Sequence, residues 1–329
     1  MRKKNHHYIP QVYLRSFVDA QGMVQVYRKD DPDKEIRLAP KNVAFHKFYY
    51  SQPTPEGGVD DERLENLFSE VESRWPDVLS VLKGRVDANS VIEPLMGFVG
   101  LQRVRVPAAR DVAEATLAAH VRAAGRSMDA QGLFPAKPVP LLNVPNLWDE
   151  LKISIDPHRS IHAMPGMLIA VGELTKRMGF AVIHNGSGLP FLTSDNPVCW
   201  YDVSVKPEQR EPYVSPSDGP IEFIFPLTPS MLLYGATALS ADYARNGLTH
   251  MDLTDADVVR QFNETICRFG YQAIFAQAKG QQELIRQHCD VSPVPVIQEI
   301  LLKKGVTIVG RMKFDKRQEK AVWRGESQI

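Results

Sequence analysis

Apolar positions along the chain change their spacing several times, and each change marks a different kind of element. Residues 22–28, Gly-Met-Val-Gln-Val-Tyr-Arg, alternate apolar and polar side chains, the period of a half-buried strand. Asp30-Asp31-Pro32-Asp33 supplies a turn, and Ile36 to Leu38 is expected to return as a second strand. Lys41 to Tyr50 is aromatic and reads as extended, so the chain opens with a small β-rich layer. A loop around Thr54-Pro55-Glu56-Gly57-Gly58 leads into a stripe that starts near Asp61: Leu64, Leu67, Phe68, Val71, Trp75, Val78, Leu79 and Leu82. Three- and four-residue steps of this kind predict a helix, which Pro76 should kink or split. Glu65 and Glu72 fall at one edge of the apolar arc, whereas Glu62 and Glu70 face water.

A second helix is expected from about Ser90, with Ile92, Leu95, Met96, Val99 and Val106 on one face. Gln102 and Arg103 sit on that same face, where the pattern calls for apolar groups. An unpaired buried guanidinium is costly, so Arg103 should meet a carboxylate, a ligand or a water-filled cleft. Pro107 should break or bend the element before an alanine-rich helix over Asp111 to Arg126. Pro135, Pro138, Pro140 and Pro145 then mark a connection near 131–146, followed by a short helix over Leu147 to Ile155 and an apolar stretch without a clear period from Pro165 to Thr175.

From Met178 the pattern turns to sheet. Phe180 to His184 and Leu189 to Thr193 flank Asn185-Gly186-Ser187-Gly188 and predict a hairpin. After a polar loop over Lys206 to Pro220, Ile221 to Leu227 and Met231 to Ala236 form a second strand pair. Thr254 is expected to cap a helix running to Phe269, with a strand at Tyr271 to Ala276, a short helix at Gln281 to His288 and a closing strand at Val306 to Met312. The class is α+β: an N-terminal β-rich layer and helices, then a mostly antiparallel sheet with C-terminal helices. One domain over 1–329 is expected, any subdivision falling between 1–130 and 147–329.

Charge adds an exclusion. Lys and Arg number 39, as do Asp and Glu, so no global field draws the chain to nucleic acid or anionic membrane. Local basic runs remain at Arg2-Lys3-Lys4 and from Arg311 to Arg324, read here as solvated ends. Cys199, Cys267 and Cys289 form no Cys-x-x-Cys pair, which supports neither a disulfide framework nor a zinc knuckle. With no apolar leader and no run of roughly 18 apolar residues, no membrane association is expected and the cytoplasm is the expected location.

Chemistry concentrates in three places. The run Asn5-His6-His7-Tyr8-Ile9-Pro10-Gln11 offers two imidazoles, each a candidate base or metal ligand. On an extended backbone His6 and His7 point to opposite faces, so one at most enters a given site. Glu65, Glu72, Gln102 and Arg103 occupy consecutive helices, where carboxylates hold a cation or simply pair with arginine between helices. Ser194-Asp195-Asn196-Pro197 follows a buried strand: Asp195 suits a metal or a histidine, Asn196 an oxyanion, and the run is also an ordinary turn. Arg177 and His184 have the loose spacing of an Arg…His ribonuclease pair but fall near an expected strand.

The opening run to Phe17, together with Phe191-Leu192-Thr193-Ser194-Asp195-Asn196-Pro197-Val198, resembles the DUF4238 family of bacterial proteins. Phe48-Tyr49, the Glu65/Glu72 helix, Gln102-Arg103 with Arg105 and Pro107, Pro226-Leu227-Thr228-Pro229 and Asn263 fit in order, so the likeness spans roughly residues 5 to 277. The family name implies no activity. The expectation drawn from the residues is a hydrolase, a metal-dependent phosphodiesterase or nuclease, acting on nucleic acid or a nucleotide. His6, His7, Gln102, Arg103, Asp195 and Asn196 would be catalytic, Gln11 and Arg105 would bind substrate, and Glu65 and Glu72 would hold Mg, Mn or Zn with a histidine and Asp195. The alternative is a non-catalytic sensor or ligand-binding protein using the same polar cluster.

Overall fold

A computed structural model of the chain describes residues 5–142, 144–145, 147–302, 305–320 and 323. The alternating run forms the strand Val24–Arg28, which turns back as Asp31–Leu38 in antiparallel register. This hairpin is not a free-standing layer. Val24–Arg28 pairs along its other edge with Ala273–Ala276, which pairs in turn with Thr193–Ser194. The resulting four-stranded sheet is assembled from both ends of the chain, and Val24, Val26 and Phe275 share one apolar cluster.

The hairpin expected around residues 185–188 does not form. Gly179–Asn185 instead lies inside a five-stranded sheet, between Thr249–Leu253 and Met231–Ala236, with Ile221–Thr228 and Cys199–Asp202 beyond. Phe180, Ala181, Val182 and Ile183 are all buried, so this strand needs cover on both faces and a neighbour on each edge. An isolated hairpin supplies neither. Every pairing in this sheet is antiparallel except that of Thr249–Leu253 with Gly179–Asn185.

The long apolar stripe splits, as Pro76 demands, into helices Arg63–Ser73 and Trp75–Gly84, with the proline in the first turn of the second. Leu67 departs from the expected stripe and is exposed. Ile92–Val104 follows a short 3-10 turn, and Pro107 starts the next helix, Pro107–Ala130, rather than bending the previous one. The stretch without a clear period is the helix Met164–Thr175, and the short helix after the proline-rich connection covers only Leu147–Glu150. Within that connection Asn143 and Asn146 lie outside the described residues, as do Arg2-Lys3-Lys4 and most of the tail beyond Lys320.

Asp255, not Thr254, caps the helix Ala256–Phe269, its carboxylate accepting from the Asp257 N–H at 2.8 Å. The C-terminal strand candidate is half of a long hairpin, Ser292–Leu302 with Gly305–Asp315, whose first strand the sequence pattern did not predict. The protein is α+β. Its main core gathers rings from distant elements: Trp75 stacks on Phe98 with centroids 4.0 Å apart, and Tyr13 stacks on Phe225 at 5.4 Å. Among the described residues no helix is long and apolar enough to cross a membrane.

Candidate functional site

Asn5–His7 is a short strand paired antiparallel with Phe45–Lys47, placing His6 opposite His46. Alternation sends its two histidines to opposite sides. His6 is fully buried, its Nδ1 accepting from the Tyr50 N–H at 3.0 Å and its ring stacked on Tyr50. His7 is half-buried against Phe45, with Nε2 3.3 Å from the Lys41 carbonyl.

The backbone of this strand is clamped from the helices. Gln102 Nε2 donates to the Tyr8 carbonyl at 3.0 Å, and Arg105 donates to the His7 carbonyl. The second arm of the Arg105 guanidinium meets Glu72 at 2.6 Å. An interhelical Glu–Arg pair therefore exists, but its arginine is Arg105, which is fully buried, and not Arg103. Glu65 is buried on the same helix as Glu72, and Gln11 is the half-buried first residue of the short helix Gln11–Leu14.

Arg103 finds a partner of a kind the helical pattern did not suggest. Its guanidinium lies 3.8 Å from the Tyr213 ring centroid and 5.3 Å from that of Trp200. Its Nε and Nη1 make no hydrogen bond among the described residues. Asn196 reaches the same tyrosine, its Nδ2 donating to the Tyr213 hydroxyl at 2.6 Å and to the Phe269 carbonyl at 2.8 Å.

Asp195 is fully buried and serves the backbone. Its Oδ1 accepts from the Tyr271 N–H and its Oδ2 from the Gln272 N–H, both at 2.7 Å. Burial raises its pKa to about 6 against these hydrogen bonds and the charge of Lys29. The Thr193 hydroxyl of the same motif donates at 2.6 Å to the Tyr13 hydroxyl, whose own proton goes to the Pro226 carbonyl. Asn263 closes the set, bonding Leu192 N and the Pro190 carbonyl.

The structure thus joins His7, Glu72 and Arg105, ties Gln102 to Tyr8, and sends Arg103 and Asn196 to Tyr213 and Asp195 to residues 271–272. Arg177 and His184 stay apart in role: Arg177 donates to the Ser217 carbonyl, and His184 lies 2.8 Å from His250 Nδ1. No group of three or more His, Cys, Asp or Glu side chains placed to hold one metal ion occurs among the described residues.

The residues held by these clamps line a cleft. Tyr8, Tyr271 and Gln272 wall one cavity of about 610 Å³, and His46, Tyr49, Asp111 and Gln272 wall an adjoining one of about 430 Å³. Arg317, from the segment after the C-terminal hairpin, borders both. Its guanidinium stands 5.1 Å from the Tyr271 ring, while Lys320 pairs with Asp111 at 2.9 Å and also with Glu114. Tyr271 donates its hydroxyl to Asp111. His46 packs against Tyr8 and Tyr49 and keeps an exposed edge. Burial, followed by the charges of Arg110 and Lys320, pushes its imidazole below the usual pKa against the opposing pull of Asp111. It is therefore neutral near pH 7, able to accept a proton.

Sequence reasoning missed this constellation. His46 stood in a run read only as a strand, and Arg317 and Lys320 stood in a tail read as solvated. The one available signal was the pairing partner of the histidine strand, which no local pattern specifies.

A family model described as "Protein of unknown function (DUF4238)" matches residues 5–280. No curated protein and no solved structure matches the chain. The matched span contains Tyr8, His46, Asp111, Tyr271 and Gln272 and stops before the C-terminal hairpin and the segment after it, which carries Arg317 and Lys320.

Proposed function

Because the chain belongs to the DUF4238 family, whose description names no activity, we propose its function from the cleft itself: hydrolysis of a small phosphoester, a phosphodiester of nucleotide size. The observation that carries this reading is His46 on the wall of a cavity that Arg317 also borders. A neutral imidazole takes a proton from an attacking water, and a guanidinium offsets the charge of the phosphoryl oxygens. Cavities of about 430 and 610 Å³ suit a small molecule better than a duplex, as does the balance of 39 basic and 39 acidic residues. His6, Asp195, Gln102 and Arg105 act in this reading as positioning residues, holding Tyr8, His46, Tyr271 and Gln272 where the ligand meets them.

The test is turnover of bis(p-nitrophenyl) phosphate and of cyclic and linear dinucleotides, with EDTA and with added Mg, Mn or Zn. His46→Ala is expected to lower kcat by about 10²–10⁴-fold. Arg317→Ala should raise KM by roughly ten- to a hundredfold, the loss of a charge-assisted contact. Full turnover in both variants would remove the cleft from consideration. Stimulation by one ion would assign the divalent cofactor expected from the motifs.

Non-catalytic binding in the same cleft is the second reading. It is favoured by the engagement of Asp195, Glu72, Gln102 and Arg105 with the backbone or with one another, which leaves His46 as the one imidazole of the opening strand pair that borders both the cleft and Asp111. Saturable binding of the same compounds without turnover would select it.

A further inference from the structure

The five-stranded sheet carries a further cavity that none of the motifs above touches. It is the largest described here, about 820 Å³, and lies between the sheet, the helix Ala256–Phe269 and the end of the C-terminal hairpin. Glu222 is part of its lining. One carboxylate oxygen accepts from the Tyr201 hydroxyl at 2.6 Å and the other from the Tyr234 hydroxyl at 2.8 Å. Among the described residues no lysine or arginine pairs with it. Each oxygen keeps a further lone pair, so the carboxylate can accept two more donors side by side.

Two arginines border the same cavity without a carboxylate partner among the described residues. Arg210 lies over the Tyr201 ring at 4.7 Å, and its Nε is buried with no hydrogen bond. Arg268 lies over the Phe314 ring at 4.4 Å and donates to the Pro207 carbonyl at 2.8 Å. Burial and the neighbouring charge of Arg210 both lower the pKa of Arg268, the signature of two cations sharing one space, with Glu208 as the opposing charge. The remaining lining includes Phe262, Phe269 and His288, with Glu208 and Glu264 as two further carboxylates.

Three demands follow for an occupant. It carries an anionic group for two guanidinium forks, a flat ring for aromatic walls, and a donor edge for a carboxylate. We infer that this cavity is a nucleotide site, distinct from the cleft, in which Arg210 and Arg268 bind the phosphate and Glu222 reads the base. Guanine is the base that fits. Its N1–H and exocyclic amine present two adjacent donors, whereas adenine sets one donor beside a ring acceptor that would oppose a carboxylate oxygen. No residue lines both this cavity and the cleft, and the site stands whether or not the proposed hydrolysis holds.

Calorimetric titration of the full chain with GMP, AMP, CMP and UMP tests it. GMP is expected to bind saturably and about tenfold or more tighter than AMP, the usual discrimination of one good paired contact. Arg210→Ala and Arg268→Ala should each weaken GMP by roughly ten- to a hundredfold with unchanged melting. Arg210→Lys, which keeps the charge and loses the planar fork, should weaken it in the same direction. Glu222→Gln should abolish the preference for GMP over AMP. The inference is overturned if GMP binds no better than inorganic phosphate, or if binding survives Arg210→Ala and Arg268→Ala while Arg317→Ala removes it.

Discussion

Arg105→Ala is expected to destabilise the folded chain by roughly 3–5 kcal/mol, the usual cost of breaking a buried ion pair from one side. Arg105 is 2% exposed, and its two arms meet Glu72 and the His7 carbonyl. Its guanidinium also lies 4.7 Å from the Phe68 ring, so truncation removes packing as well as charge. The variant leaves Glu72 without its cation and the His7 carbonyl without a donor, at the point where the N-terminal strand is fastened to the helices. Urea denaturation measures the effect, and a loss under about 1 kcal/mol would show that the clamp is dispensable. The double variant Arg105→Ala/Glu72→Ala should lose less than the sum of the two singles, because the unpaired carboxylate is gone. Lysine at 105 should not rescue, since one ammonium cannot reach two acceptors in the geometry of a planar fork.

Asp195→Ala is the second large effect, about 2–4 kcal/mol, because it strands two buried N–H groups, those of Tyr271 and Gln272. Its pH dependence has a definite sign. The folded-state pKa is raised to about 6 from the ordinary 3.8, with burial the leading cause. The stability that this group contributes is therefore complete below the unfolded value and is lost as pH rises through the folded one. The difference between wild type and Asp195→Ala should accordingly be larger at pH 4 than at pH 7. Melting curves at the two pH values check it; an equal difference at both would mean that the carboxyl does not change charge in that window. Asp195→Asn should also destabilise, since an amide turns one of its two acceptors into a donor facing an N–H.

These outcomes bear on what the motifs are for. A catalytic carboxylate can be removed with little change in melting, whereas a residue that caps two backbone N–H groups cannot. The polar motifs join distant segments: Tyr13 to Thr193 and Pro226, Gln102 to Tyr8, Asn263 to residues 190 and 192. Of these contacts, the one from Gln102 fixes a residue of the cleft wall, Tyr8.

Much of this was legible in the order of residues. The helical stripe from Leu64 to Leu82, its division at Pro76, the strands at 24–28, 221–228 and 231–236, and the α+β class all follow from spacing, because periodicity and proline act within a few residues. So did the opposite facing of His6 and His7, and the inward edge of Glu65 and Glu72. Partner choice was decided elsewhere. Whether Glu72 meets Arg103 or Arg105 depends on how two helices rotate against each other, and a step of two residues on a helix moves a side chain by more than half a turn. That Arg103 rests on Tyr213, that Asp195 serves residues 271–272, and that a basic tail borders the His46 cleft are contacts across roughly 75 to 270 positions of chain, set by packing of the whole core. No pattern read over a window of a dozen residues carries that information, because tertiary packing alone decides which distant segments meet.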